Sequence, residues 1–308
     1  MTNKKKHQYR IRNWRDYNKA LVSRGSLTLW VEQGAVNKWR AIAAPARRRR
    51  RRFHSDLAIA RALTLREVYH LPLRSTQGPV ASVLRLLGSD SPAPHYSTLS
   101  RRAASLEVKL ERLSRGRLHL AVDFTGLKLY GEGEWKVRLH GADKRRTWRK
   151  LHLMIDRRTH EAVALSMTEK DVLDRRELPR LLSVVESEAA EVLGDGAYDF
   201  HDCYKAIHAK DARAVIPPQV RARVRSGPEF RDGDAAVLRG REVGRDEWKK
   251  EAGYHRRSLA ETAMMRLKTI FSDKLKAREW SRQETELRVR CAALNRMTSL
   301  VMPQSYAV

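Results

Sequence analysis

Cysteine is almost absent: Cys203 and Cys291 are the only two in the chain, and neither stands in a CxxC or beside paired histidines. That spacing excludes a disulfide framework and a structural zinc site, and two lone thiols suit a reducing cytoplasm. His201-Asp202-Cys203 brings an imidazole, a carboxylate and a thiol together in sequence only. Neighbours on a helix point in different directions, so the trio reads as surface and core. Long apolar runs are missing too. No stretch of ~18 apolar residues is present, and the opening 1–12 is basic and polar, without the plan of a signal peptide. A membrane partner is therefore not expected. Acidic residues are scarce as well: 36 Asp and Glu face 63 Lys and Arg, for a net charge of +27. Such self-repulsion makes sense beside a polyanion, and without membrane segments that means nucleic acid.

What is present is a folded chain. Apolar residues make up 42% of it, with seven Trp, so disorder is excluded, and 308 residues leave room for two domains. No internal repeat is found. The charge is concentrated at the start, where residues 1–52 hold sixteen Lys and Arg against only Asp16 and Glu32. Arg47, Arg48, Arg49, Arg50, Arg51 and Arg52 are consecutive. Six arginines cannot pack together, so this run is a solvated arm of the kind that tracks phosphates, or a solubilising linker. Ser55 and Asp56 then cap a helix with apolar Leu57, Ile59, Ala60 and Leu63, ended by Leu71-Pro72. Ser75 opens a second helix that runs to Gly88. After a Pro-containing loop, Ser97, Thr98, Arg101 and Arg102 start a short third one. Residues 56–105 are thus helix-turn-helix-like, with Arg101 and Arg102 as candidate DNA contacts.

Near residue 117 the period changes from helix to strand. Leu118, Leu120 and Val122 alternate up to Asp123, and a Gly turn at 126 separates a second short run, 127–130. Further strands are expected at 135–140, 150–156 and 161–167, followed by a helix over 174–188 and strands at 191–193 and 212–216. A meander followed by alternating helix and strand predicts a mixed sheet covered by helices. Residues 219–249 read as a charged surface loop, and Ser281 and Glu284 as a capping box opening a last helix that packs Leu287, Cys291 and Leu294.

Three acids carry the chemistry. Asp123 ends the most apolar strand, and Asp195 stands between Gly194 and Gly196 after another. Either alone reads as a turn or cap residue. The third element is more specific: Tyr254, Arg257, Glu261 and Lys268 lie at offsets 0, 3, 7 and 14. On a helix these fall at about 0°, 300°, 340° and 320°, one stripe roughly 60° wide. Leu259, Ala260, Ala263, Leu267, Ile270 and Phe271 form a separate core-facing stripe. One face therefore packs while its neighbour presents a carboxylate among phosphate-binding donors.

That spacing of Tyr254, Arg257, Glu261 and Lys268 resembles the signature of DDE transposases from bacterial insertion sequences. Val122-Asp123-Phe124-Thr125-Gly126, Gly194-Asp195-Gly196-Ala197-Tyr198-Asp199, the segment 144–153 and the segment 24–30 resemble the insertion-sequence-five family in particular. The likeness spans nearly the whole chain. One departure is Phe124, where that family usually has a small polar residue.

The resemblance implies a ribonuclease-H-like catalytic domain over 117–302, preceded by a basic, mainly helical DNA-binding region over 1–110. It makes Asp123, Asp195 and Glu261 the ligands of two Mg²⁺ ions, with Mn²⁺ as a possible substitute, and it places Tyr254, Arg257 and Lys268 on the phosphates at the transposon end. Asp199 is expected to cap the following helix. The implied partners are double-stranded DNA, as element ends and as target, and further copies of the chain in a dimer or larger assembly on DNA. The implied location is cytoplasmic and nucleoid-associated. The alternatives are a ribonuclease-H-like nuclease that cuts without joining, and a transposon-derived DNA-binding regulator without catalysis.

Overall fold

The computed structural model describes residues 9–41, 53–110, 116–129 and 148–308. It divides into two compact units, one of Met1–Arg102 with Ala293–Val308 and one of Ala103–Ala292. The expected strand at 135–140 and the arginine run 47–52 lie outside the described residues.

The first unit is helical. A two-stranded ribbon pairs β1 (Tyr9–Ile11) with the C-terminal β2 (Ser305–Ala307) antiparallel, and six helices follow β1: α1 (Trp14–Ser23), α2 (Leu27–Trp30), α3 (Gln33–Asn37), α4 (Asp56–Val68), α5 (Gln77–Leu86) and α6 (Tyr96–Ala103). Trp30 and Trp39 are fully buried, as are Ile59, Leu65, Leu84 and Leu99. Each indole also places its N–H: Trp30 donates to the Arg24 carbonyl at 3.0 Å and Trp39 to the Pro92 carbonyl at 3.2 Å. Short helices gain little from propensity alone, so these large anchors hold them. Ser55 caps α4 as expected, its Oγ accepting from the Ala58 N–H at 3.1 Å.

The second unit is built on a mixed sheet. Its strands are β3 (Leu118–Leu129), β4 (Trp148–Asp156), β5 (Glu161–Glu169), β6 (Ala189–Leu193) and β7 (Arg213–Val215), in the order β5-β4-β3-β6-β7. The first three pair antiparallel, and β6 and β7 join parallel. A short β8 (Lys274–Leu275) pairs parallel with the far end of β3. Helices α7 (Glu177–Ser183), α8 (His201–His208), α9 (Arg231–Val243), α10 (Arg245–Glu251) and α11 (Ser258–Phe271) complete the unit. This is the mixed sheet flanked by helices that the alternating pattern predicts, and it is consistent with the ribonuclease-H-like domain that the resemblance implies. The core beneath the sheet gathers Leu118, Leu120 and Val122 with Leu178, Leu182, Tyr204 and Ile207.

Several local expectations are corrected. β3 is one strand of twelve residues, unbroken at Gly126. Gly126 serves close approach instead, because a Cβ there would lie 3.2 Å from the Trp148 ring. Asp123 is consequently in the middle of its strand and not at its end. The helix expected over 174–188 stops at Ser183, which frees the chain to enter β6 beside Leu118. The supposed loop over 219–249 contains α9 and α10, held by buried Ala236, Val237 and Trp248. Helix α12 (Trp280–Thr298) begins one residue before the expected cap. Its Leu287 and Cys291 are buried in the second unit, while Leu294 belongs to the first. Inside the second unit, the fully buried Arg290 of α12 pairs with Glu286 and donates to the Ser272 and Lys274 carbonyls.

Candidate active site

β3 is flanked differently along its length. β6 pairs with it only as far as Ala121, opposite Leu193, and β8 begins at Lys128. Between these two partners one edge of β3 is left open, and Asp123 sits in that gap. The chain leaving β6 carries Asp195 two residues past Leu193. The Asp123 side chain is only 13% exposed there.

Asp123 is held tightly. Its Oδ1 accepts from the Phe124 N–H at 2.9 Å and its Oδ2 from Arg257 at 2.8 Å. Burial pushes its carboxyl above the usual range; Arg257 and the Phe124 N–H oppose that rise, and the negative charge of Asp195 adds to it. Asp195 is fixed by its own turn, Oδ1 accepting from the Ala197 N–H at 2.9 Å. Gly194 is required here for space and not for turning, since a Cβ would lie 2.9 Å from the Tyr198 ring. Tyr198 is fully buried, and its hydroxyl is pushed upward by burial and then by Asp195, Asp174 and Asp123.

Glu261 lies in the first turn of α11. Tyr254 and Arg257 precede the helix on a 3₁₀ turn, so the uniform helical stripe expected from the spacing begins only at Ser258. The buried face of α11 comprises Ala260, Ala263, Met264, Leu267 and Phe271; Leu259 and Ile270, also expected there, are half-buried. Arg257 joins the elements. Its guanidinium bonds Asp123 through Nη1 and Glu261 through Nη2, and it lies 5.8 Å from the centre of the Tyr254 ring. Burial works against its charge, but Asp123, Tyr254 and Glu261 outweigh that and raise its pKa. Lys268 is partly buried one side of Glu261, with its pKa lowered by burial and by Lys128 against the pull of Asp273.

Asp123, Glu261, Lys268 and Met265 line an open cleft of about 360 Å³. Phe124 and Thr125 border it as well, and the Lys150 ammonium stands 4.9 Å from the centre of the Phe124 ring. Among the described residues no three His, Cys, Asp or Glu side chains are gathered closely enough to hold a metal as they stand. The donor chemistry nevertheless suits a hard divalent cation, because all three acids offer carboxylate oxygens. Arg257, a cation between two of them, marks where positive charge is favoured.

The other candidates are placed differently. Arg102 is turned inward within the first unit, bonded to Asp56 and donating to the His54 carbonyl at 3.0 Å. Arg101 is exposed and shares an open groove with Arg74, Tyr96, Ser97 and Ser100. The Arg74 guanidinium stacks 5.0 Å from the Tyr96 ring centre, a contact that sequence reading missed because the two residues are 22 positions apart. Asp199 does not cap α8 and is a buried hub instead: Oδ1 accepts from Tyr204 at 3.2 Å and Arg225 at 2.7 Å, and Oδ2 from the Gln219 N–H at 2.7 Å. Cys203 is buried and His201 exposed, so that trio forms no cluster. No helix among the described residues is long and apolar enough to cross a membrane.

Two family models, each described as a transposase DDE domain, match this chain, one over residues 22–132 and the other over residues 114–296. The second covers more than half of the 308 residues and includes all three acids together with Tyr254, Arg257 and Lys268. The chain therefore belongs to the DDE transposase family.

Proposed function

We propose that Asp123, Asp195 and Glu261 hold two Mg²⁺ ions and that the protein cuts and joins DNA at the ends of an insertion sequence. The observation that carries this reading is Arg257, which bonds the acid of the central strand and the acid of α11 at once. Two elements 134 residues apart thereby meet at one point. When bound, the ions would neutralise charge on the attacking and leaving oxygens of a phosphodiester. Mn²⁺ is expected to substitute.

In the first reaction, water adds to phosphorus at the element end and the bond to the 3′ oxygen breaks, leaving a free 3′ hydroxyl. In the second, that hydroxyl attacks a target phosphodiester in line; a new bond forms to phosphorus and the target's own 3′ oxygen leaves. The residues of this chain position the strand. Arg257, Tyr254 and Lys268 border the acids and supply donors for the scissile and adjacent phosphates, with Arg257 exchanging its carboxylates for phosphate oxygens. The first unit, with Arg101 exposed on α6, binds the terminal inverted repeats, and the positive charge of Arg47 to Arg52 strengthens that binding. Joining two ends requires at least two copies of the chain on DNA.

A strand-transfer assay tests this, with labelled end duplex, supercoiled target and Mg²⁺. Joined product that is absent with Glu261→Gln, and absent in Ca²⁺, is the expected result. End binding without any cleavage in Mg²⁺ or Mn²⁺ would instead make the protein a DNA-binding regulator. Cleavage without joining would make it a nuclease.

A further inference from the structure

The segment between the second acid and the glutamate helix has an uneven charge ledger. Its acids are largely engaged within the unit. Glu251 and Glu242 hold Arg239 at 2.7 and 3.1 Å, Asp246 holds Lys249 at 3.2 Å, and Glu247 holds Lys250 at 2.8 Å. Asp234 accepts from the Arg225 N–H and Asp232 from the Ala214 N–H. Arg221, Arg223, Arg241 and Arg245 are exposed and, among the described residues, have no carboxylate partner. Four uncompensated guanidiniums on one short segment oppose the pairing seen around them.

Two of the four frame a cleft. Arg241 and Arg245 border a cavity of about 170 Å³ whose walls include Val220, Ala222, Val237 and Trp248. Arg241 is oriented by donating to the Ala222 carbonyl at 3.4 Å. Arg245 reaches the other way: its Nη2 lies 3.9 Å from where a Cβ on Gly196 would be, one residue beyond Asp195. The apolar wall and the paired cations match a sugar–phosphate strand, with deoxyribose against the wall and phosphate oxygens on the guanidiniums.

We propose that this cleft is a second contact for the DNA backbone, distinct from the Tyr254, Arg257 and Lys268 side of the site. It grips the strand that continues past the scissile bond on the Asp195 side. The proposal rests on the reading of the acids as the cutting centre, because that reading defines which DNA runs here.

Counterion release gives a direct test. End duplex carrying flanking DNA is bound in Ca²⁺ across a salt series, with folding checked by melting temperature. Each phosphate contact contributes about 0.9 to the slope of log affinity against log salt, so Arg241→Gln/Arg245→Gln should flatten it by about 1.8. Lys249→Gln/Lys250→Gln removes the same charge from paired cations of the same hairpin and should leave the slope near wild type. An unchanged slope in the arginine pair, or equal flattening in both pairs, would overturn the proposal. Strand transfer by the wild-type protein reports on the acids separately, so a failure of that reading is distinguished from a failure of this one.

Discussion

The two units handle arginine in opposite ways. In the helical unit, neighbours in sequence part company: Arg101 faces solvent while Arg102 turns inward to Asp56 and the His54 carbonyl. In the sheet unit, residues far apart in sequence converge, as Arg257 does on Asp123 and Glu261. Short helices expose or bury a side chain according to its angle about the axis, so adjacent positions diverge. A sheet edge with interrupted pairing collects side chains from several elements. A basic residue is therefore assigned to DNA or to structure by its partners and not by its neighbours.

The largest effect should come from the converging acids. Asp123→Asn and Glu261→Gln are each expected to lower strand transfer by on the order of 10³-fold, with end binding in Ca²⁺ retained. A gel that scores bound and joined DNA in parallel would check this; loss of both together would mean that the acids support folding. Next is the anchor of the helical unit. Truncating the fully buried Trp39 to Ala should cost about 3–5 kcal/mol and abolish end binding. Circular dichroism melts would show it, and a melt indistinguishable from wild type would contradict the assigned core.

Arg101 and Arg102 sharpen the comparison at smaller scale. Arg102→Ala should destabilise the fold by about 1.5–3 kcal/mol through its lost charged hydrogen bonds. Arg101→Ala should leave stability unchanged and lower the salt slope of end binding by about 0.9. A reversed pattern in paired melts and salt titrations would invert the two assignments. The smallest expected effect concerns the thiols. Burial pushes both Cys203 and Cys291 up to about 12, so a thiolate-selective reagent near neutral pH should modify neither until the chain is unfolded. Labelling of the native protein, counted by mass, would show one of them to be reachable.

Much of this was legible in the sequence for identifiable reasons. The helix that carries Glu261 and Lys268 was legible because α11 buries Ala260, Ala263, Met264, Leu267 and Phe271 at helical spacing, whereas the 3₁₀ turn holding Tyr254 and Arg257 was not. The sheet strands showed in their alternation. The exact place of Asp123 did not, because Gly126 looks like a turn until Trp148 is seen covering it. Helices α9 and α10 were hidden by their charges, their few buried contacts being Ala236, Val237 and Trp248. Nor could the β1–β2 ribbon be read, since it pairs three-residue strands from opposite ends of the chain. Local pattern reveals what local periodicity creates; pairing across the chain leaves no such trace.

The most direct test of the account concerns Asp195, whose link to the other acids is electrostatic and not a shared hydrogen bond. Mn²⁺ bound per chain should be counted by electron paramagnetic resonance on a complex with uncleavable end DNA. Two ions are expected for the wild type and fewer for Asp195→Asn. Two ions retained in Asp195→Asn would contradict it.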